Sequence, residues 1–285
     1  MLSFLDPKPG DIVVDATLGG GGHSLEILKR ILPGGKLIGI DRDIEAIERA
    51  RNIFRDKIEN VILVNGNFGD LAKILNERKI GRIDGAVFDL GFSSFQVDDP
   101  SRGFSFLNEG PLDMRFDRLE GITAYDVVNS SGKEELSGII KEYGEERHSK
   151  AIAAAIVTSR KNCKIRTTRE LSKIIEEAVG KKYSNQRIHP SCRTFQAIRI
   201  HVNSEMASIE KGVEVALSVL SSGKRICVIS FHSLEDRIVK NVFRRESKFK
   251  KAKIITKKPV VPGNFEIRNN PRARSAKLRV AEGVR

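Results

Sequence analysis

Residues 11–24 read DIVVDATLGGGGHS, and this stretch decides the fold. The apolar run ending at Asp15 has the length and β-branched content of a short buried strand. Four consecutive glycines, Gly19 to Gly22, follow it, and His23 opens a helix expected to run to about Leu32. Glycine in such a turn permits positive φ and lets the backbone approach a ligand closely. Gly34 and Gly35 are expected to end the helix. The rhythm continues outward. Lys36 to Asp41 (KLIGID) is a second strand, and Asp43 caps a helix whose apolar residues Ile44, Ile47, Phe54 and Ile58 fall on one stripe. Val61 to Val64 is a third strand, Phe68 to Arg78 a helix, and Gly85 to Leu90 (GAVFDL) a fourth strand. Strands joined by helices at this spacing imply a parallel sheet with right-handed crossovers.

After Asp89 the rhythm breaks. Residues 92–118 are loop-like, punctuated by Pro100, Gly103, Gly110 and Pro111. Residues 123–182 read as several helices with no strand signal, a block too long for an ordinary crossover. A long helix is expected from about Thr194 to Leu220. Arg225 to Ser230 (RICVIS) then returns to the sheet, Leu234 to Arg245 is helical, and the tail adds one or two strands, with weak alternation over 276–281. The expected fold class is therefore α/β: a Rossmann-like parallel sheet interrupted by an inserted all-helical domain. Residues 1–98 and 194–285 would form the ligand-binding domain and residues 99–193 an inserted loop and helical domain.

Composition narrows the function. The 285 residues are 40% hydrophobic and 31% charged, which fits a globular protein with a sizeable core. No apolar run reaches the length of a membrane span, and residues 1–7 lack an export-signal pattern. The odd number of dispersed cysteines, Cys163, Cys192 and Cys227, indicates reduced thiols and a cytoplasmic protein. The histidines are scattered and no metal-ligand spacing is present. Charge is unevenly spread. Of the net +13, the whole excess lies in residues 237–285, which hold 16 basic and 3 acidic residues. Residues 160–199 add 11 basic and 3 acidic residues, so the remaining chain is acidic. Two basic blocks on an acidic body fit a polyanion surface, or equally a solvated charged face.

A doubly wound sheet binds ligands outside its C-terminal strand ends, where the strand order reverses. Asp15, Asp41 and Asp89 end the first, second and fourth strands. A glycine turn with a strand-end acid for ribose hydroxyls is common to dinucleotide sites and S-adenosylmethionine sites. The G-x-G-x-x-G pattern fails because Ser24 stands at its last position. Three acids on one rim would repel a pyrophosphate and attract a sulfonium and an ammonium, which favours the methyl donor.

Eight segments together resemble a known family: residues 15–24 (DATLGGGGHS), 89–94 (DLGFSS), 102–106 (RGFSF), 111–115 (PLDMR), 143–147 (YGEER), 193–203 (RTFQAIRIHVN), 229–240 (ISFHSLEDRIVK) and 270–275 (NPRARS). The chain resembles the MraW family of bacterial 16S rRNA cytosine-N4 methyltransferases over nearly its whole length. The resemblance implies a class I methyltransferase core with a helical insert. It implies methylation of the exocyclic amino group of one cytidine in the decoding region of 16S rRNA, within the small ribosomal subunit. Residues 1–98 and 194–285 would form the S-adenosylmethionine-binding domain, and the inserted domain over 99–193 is expected to recognise RNA. It places the donor at Gly21, Gly22, His23, Asp41, Phe68, Asp89 and Gln96. The family pattern also begins with a His-x-Pro-Val segment that this sequence lacks, and activity is expected to depend on that segment.

Cytosine's amino nitrogen is a poor nucleophile because its lone pair is delocalised into the ring. An acceptor for its N–H groups and in-line positioning would help. Asp89, Ser93 and Ser94 are the first candidates, Asp113 the second and His232 the third. Each has a plainer reading: donor binding for Asp89, turn capping for the serines, pairing with Arg115 for Asp113, and a structural role for His232. No cysteine stands at the fourth strand end, which argues against ring-carbon methylation through a covalent adduct. Phe92, Phe95, Phe104 and Phe106 are candidates to stack on a flipped base, with core packing as the alternative for at least two. Arg272, Arg274, Lys248, Lys250 and Lys251 are candidates for RNA phosphates. The competing readings are a nicotinamide-dependent oxidoreductase, a non-catalytic rRNA-binding assembly factor, and a methyltransferase acting on DNA.

Overall fold

The structure is a computed structural model that describes residues 1–180 and 188–284. Its strands are β1 (Ile12–Asp15), β2 (Lys36–Asp41), β3 (Val61–Asn65), β4 (Ile83–Asp89), β5 (Leu220–Ser230), β6 (Ala252–Ile254) and β7 (Lys277–Gly283). They form one seven-stranded sheet in the order β3-β2-β1-β4-β5-β7-β6. The first five pair in parallel, while β7 runs antiparallel to both β5 and β6. This is the Rossmann-like class I methyltransferase arrangement. The chain winds outward from β1 to β3, then crosses back over β1 to reach β4. The order reverses between β1 and β4, and the strand ends there carry Asp15 and Asp89.

Alternation along the strands shows why both faces are covered. Val14, Ile38, Ala86, Phe88 and Val228 point into one core. Their immediate neighbours Val13, Leu37, Val87 and Cys227 point into another. Side chains of successive strand residues face opposite ways, so buried residues on both faces require helices on both. Leu71, Ile74, Val213 and Val239 cover the first face, and Ile27, Ile31 and Ile47 the second.

The chain divides into two compact units, Met1–Gly91 with Met206–Arg285, and Phe92–Glu205. The sequence reading put the cuts at 98/99 and 193/194. They shift because the Pro190–Asn203 helix supplies Phe195, Ile198 and Val202 to the core of the second unit. That unit contains the helices Ala124–Ser130, Lys133–Gly144, Ser149–Asn162 and Thr168–Val179. The expected helical block reached residue 182; residues 181–187 lie outside the described residues.

Local expectations needed correction at four places. The single helix over 194–220 is two, Pro190–Asn203 and Glu205–Val219, broken where Ser204 takes a left-handed φ of 50°. The stripe of Ile44, Ile47, Phe54 and Ile58 does not hold. Ile47 and Phe54 are buried, but the helix ends at Ile53, and Ile44 and Ile58 are exposed. The Gly22–Ile31 helix ends at an extended Leu32 before Pro33, not at the glycines. Proline disfavours helical geometry in the residue before it, which explains the stop. Finally, Leu278 to Ala281 are all buried, because β7 lies between two neighbours rather than at an edge.

Candidate active site

The glycine turn is held open by hydrogen bonds that the sequence pattern only partly announces. Gly19 and Gly21 have φ of 49° and 74°, and Gly21 is the N-cap of the Gly22–Ile31 helix. Asp15 is buried. Its carboxylate accepts from Thr17 N–H (3.2 Å) and Ser24 Oγ (2.6 Å). Burial pushes its pKa up against those hydrogen bonds. Asp15 thus shapes the turn, so of the three acids expected on one rim it is the one taken up by internal hydrogen bonds. Thr17 Oγ1 accepts the Asp89 N–H at 2.6 Å, tying the end of β4 to the turn.

Asp41 fixes the opposite side. Oδ2 accepts from Gly19 N–H (2.8 Å) and Oδ1 from Asp43 N–H (2.9 Å). Asp43 in turn accepts from Glu45 N–H and caps the Ile44–Ile53 helix, as its position suggested. Each carboxylate oxygen has two acceptor sites, so this bonding leaves capacity for ribose hydroxyls. Burial raises Asp41 to about 6 in spite of the two amides. A hydroxyl-bearing ligand favours the ionised carboxylate. Donor affinity is therefore expected to be level above pH 6 and to fall as pH drops through it, approaching about tenfold per pH unit. Calorimetric titration across that range checks this, and Asp41→Asn should remove the dependence.

Asp89 is the least satisfied acid. Oδ2 lies 3.5 Å from His23 Nε2, and this carboxylate, against partial burial, raises the histidine's pKa. Oδ1 is buried and has no hydrogen-bond partner among the described residues. A buried acceptor left empty costs about 1–3 kcal/mol, so its occupant is expected from outside the chain. Gly21, Gly22, His23, Asp41 and Asp89 are thus gathered at one end of the sheet.

Phe68 lies where the Asn67-capped turn leaves β3. Its ring meets Phe88 edge-on, with centroids 5.4 Å apart. The Glu205–Val219 helix seats over this turn because residue 212 is glycine. A Cβ there would come within 2.7 Å of the Phe68 ring and 3.0 Å of its carbonyl oxygen. Gly39 in β2 does the same for the turn, since a Cβ would meet Leu18 Cδ1 at 2.8 Å. Sequence reasoning missed Thr17, Gly39 and Gly212. An isolated glycine inside a strand or helix pattern was the available signal for the last two. Gly212→Ala is expected to cost about 1–3 kcal/mol of stability by overpacking, and to weaken donor binding through Phe68. Denaturant melts and calorimetry on the same preparation check both.

Other candidates are bound up in structure. His232 caps the Ser233–Lys248 helix. Its Nδ1 accepts from Glu235 N–H at 3.4 Å, and Nε2 lies 3.1 Å from a Glu235 carboxylate oxygen. This is the structural role that was the plainer reading of His232. Cys227 is buried in β5, and burial pushes its thiol up to about 12, so it supplies no nucleophile.

In the second unit, Ser93 caps the Ser94–Asp98 turn. Its Oγ accepts from Gln96 N–H and its own N–H donates to Gln96 Oε1, at 3.3 and 2.9 Å. Ser93 and Gln96 hold this turn together, and Ser94 is exposed. Asp113 receives a forked contact from Arg115, at 2.8 and 3.0 Å. Although burial opposes it, these hydrogen bonds hold the Asp113 carboxyl below its usual range. That pairing is the plainer of the two readings given for Asp113. Asn203 clamps the same loop, accepting from Phe116 N–H (2.7 Å) and donating to Met114 O (2.7 Å). Among the phenylalanines, Phe104 is buried and Phe106 stacks on His189 at 4.6 Å, whereas Phe92 and Phe95 are exposed. Several basic residues of 160–199 are also occupied. Arg160 donates to Val128 O and Ser131 O, and Arg199 forks onto Glu205.

Residues 1–284 match the MraW methylase family. Similar curated proteins include the "Ribosomal RNA small subunit methyltransferase H" of Persephonella marina, 49% identical over 100% of this chain and 96% of the relative. The proteins of that name from Halothermothrix orenii and Geobacter sulfurreducens are each 47% identical, over 99% of this chain and 96% of the relative. The chain belongs to the MraW methylase family. Membership makes it an S-adenosylmethionine-dependent methyltransferase and sets aside the nicotinamide reading.

The residues present fit that donor. S-adenosylmethionine brings an electrophilic methyl group on a sulfonium, together with an ammonium and a ribose diol. Asp41 has acceptor capacity for the diol. The empty Asp89 Oδ1 suits a cationic N–H donor, and the Gly19–Gly22 turn has no side chains to block close approach. No helix among the described residues is long and apolar enough to cross a membrane.

Proposed function

We propose that this member of the MraW family transfers the methyl group of S-adenosylmethionine to the exocyclic N4 of a cytidine in the decoding region of 16S rRNA. The single observation carrying the chemistry is the buried, unpartnered Oδ1 of Asp89 at the strand-order reversal. A carboxylate there accepts hydrogen bonds from a cationic amine or from the target amino group. In the second case it returns electron density to nitrogen and fixes its approach. The curated relatives' name supports the small-subunit rRNA substrate. Supporting the contact with RNA is the exposed ring of Phe95, which suits a base taken out of its stack, whereas Phe92 stacks on Phe104 at 6.0 Å and carries the Arg199 guanidinium 4.7 Å over its ring. The helical unit also presents Lys161, Lys164 and Arg166 to solvent, and we assign it to RNA recognition. In the tail, Lys248, Lys250, Arg272 and Arg274 are exposed, as is Lys251, which pairs with Glu246 at 3.4 Å.

The donor side and the acceptor side separate in one experiment. Small subunits from cells lacking the modification are incubated with the protein and labelled S-adenosylmethionine, and the modified nucleotide is located by mass spectrometry. The expected product is N4-methylated cytidine in 16S rRNA. Binding of the subunit without methyl incorporation would support the assembly-factor reading instead.

A further inference from the structure

A second feature lies at the β6 edge of the sheet. The Ser233–Lys248 helix and the β6–β7 pair line an open cavity of about 760 Å³. Six cations line it: Lys240, Arg244, Lys250, Lys253, Lys257 and Arg279. Among the described residues no carboxylate does. Its apolar surface comes from residues such as Phe243 and Ile254. Two of the cations have counter-ions. Arg279 forks onto Asp236 at 2.6 and 3.0 Å, and Lys253 lies 3.8 Å from Glu282. Lys240, Arg244, Lys250 and Lys257 have no ion-pair partner among the described residues.

Like charges gathered in one concavity raise its potential and draw in anions. Asp236 and Glu282 offset part of that repulsion, and the other four cations have no carboxylate within ion-pair distance among the described residues. The cavity also sits within the segment that holds the chain's entire charge excess. Its neighbour β6 is four strand spacings from β1, about 19 Å across the sheet. A ligand that serves the methyl-transfer site and also reaches this cavity must therefore be an extended polymer. Apolar surface beside cations suits a chain that carries sugars and bases along with its phosphates.

We propose that this cavity is a phosphate-binding exosite that grips the RNA substrate's backbone away from the methylated nucleotide. The proposal rests on the RNA reading given above and deepens it. Lysine and arginine bind phosphodiesters while releasing counterions, so the contact is read out in salt dependence.

The test is a variant with Lys240→Gln, Arg244→Gln and Lys257→Gln, compared with the unaltered protein. Binding to a single-stranded RNA carrying the target sequence is measured by fluorescence anisotropy at several salt concentrations. Loss of three phosphate contacts should flatten the log–log salt slope by about 2 and weaken binding roughly a hundredfold at about 0.1 M salt. Calorimetric affinity for S-adenosylmethionine should not change, which also shows that the variant folds. A charge-keeping variant, Lys240→Arg with Lys257→Arg, should retain the slope. An unchanged slope and affinity in the glutamine variant overturns the proposal. So does binding of pyrophosphate that the variant loses while RNA binding stays intact, which would mark a site for a small phosphorylated ligand. Loss of binding to whole small subunits but not to RNA would point to an acidic protein surface, and is equally contrary. Failure of the function reading shows separately, as absence of methyl incorporation by the unaltered protein.

Discussion

Asp89→Ala is expected to lower the methyl-transfer rate by about two to three orders of magnitude, the usual effect of removing one preorganised polar group from a reacting centre. The side chain has two faces. One oxygen partners His23 at 3.5 Å, and the other is buried and empty. Alanine removes both and leaves the histidine without its counter-charge. Asp89→Asn keeps the volume and one acceptor oxygen but loses the negative charge, so it should fall between alanine and the parent. Single-turnover methyl transfer with saturating donor isolates this step from binding. A rate that alanine leaves unchanged would show that Asp89 does not align the acceptor for transfer.

Asp41→Ala is expected to weaken donor binding about a hundredfold or more. Two charge-assisted hydrogen bonds to the ribose diol, at roughly 1.5–3 kcal/mol each, supply that loss. The same truncation releases the Gly19 and Asp43 amides that the carboxylate now holds at 2.8 and 2.9 Å, so the glycine turn loosens as well. Measured calorimetrically, the effect should lie in donor affinity, with methyl transfer largely restored at high donor concentration. An affinity equal to that of the parent would place the ribose elsewhere.

Much of this site was legible because its determinants are local. A strand that ends in an acid, a glycine run and a helix of one period each sit within a dozen residues, and Asp15, Asp41 and Asp89 fall where the pattern puts them. The division of labour among the three acids was not legible. Asp15 is consumed by Thr17 and Ser24, and only the tertiary path of the turn decides that. The break at Ser204 has no sequence mark, since serine at positive φ is uncommon and the apolar spacing runs straight through it. The roles of Asp113 and His232 turned on short-range pairing. Met114, at a φ of 60°, folds Arg115 back onto Asp113, and His232 takes a capping position more often held by serine or threonine. The basic blocks misled in part, because charge counts do not separate Arg160 and Arg199, which hold the helical unit together, from cations that face solvent.

Everything chemical here depends on the reversal of strand order at β1 and β4 being where a cationic sulfur compound is held by Asp41 and Asp89. The most direct measurement is calorimetric titration of the protein, and of its Asp41→Ala variant, with S-adenosylmethionine and with NAD⁺. The parent should bind S-adenosylmethionine at one site and leave NAD⁺ unbound, while the variant loses most of that affinity. Equal binding of S-adenosylmethionine by parent and variant, or tight binding of NAD⁺ by the parent, would contradict the account.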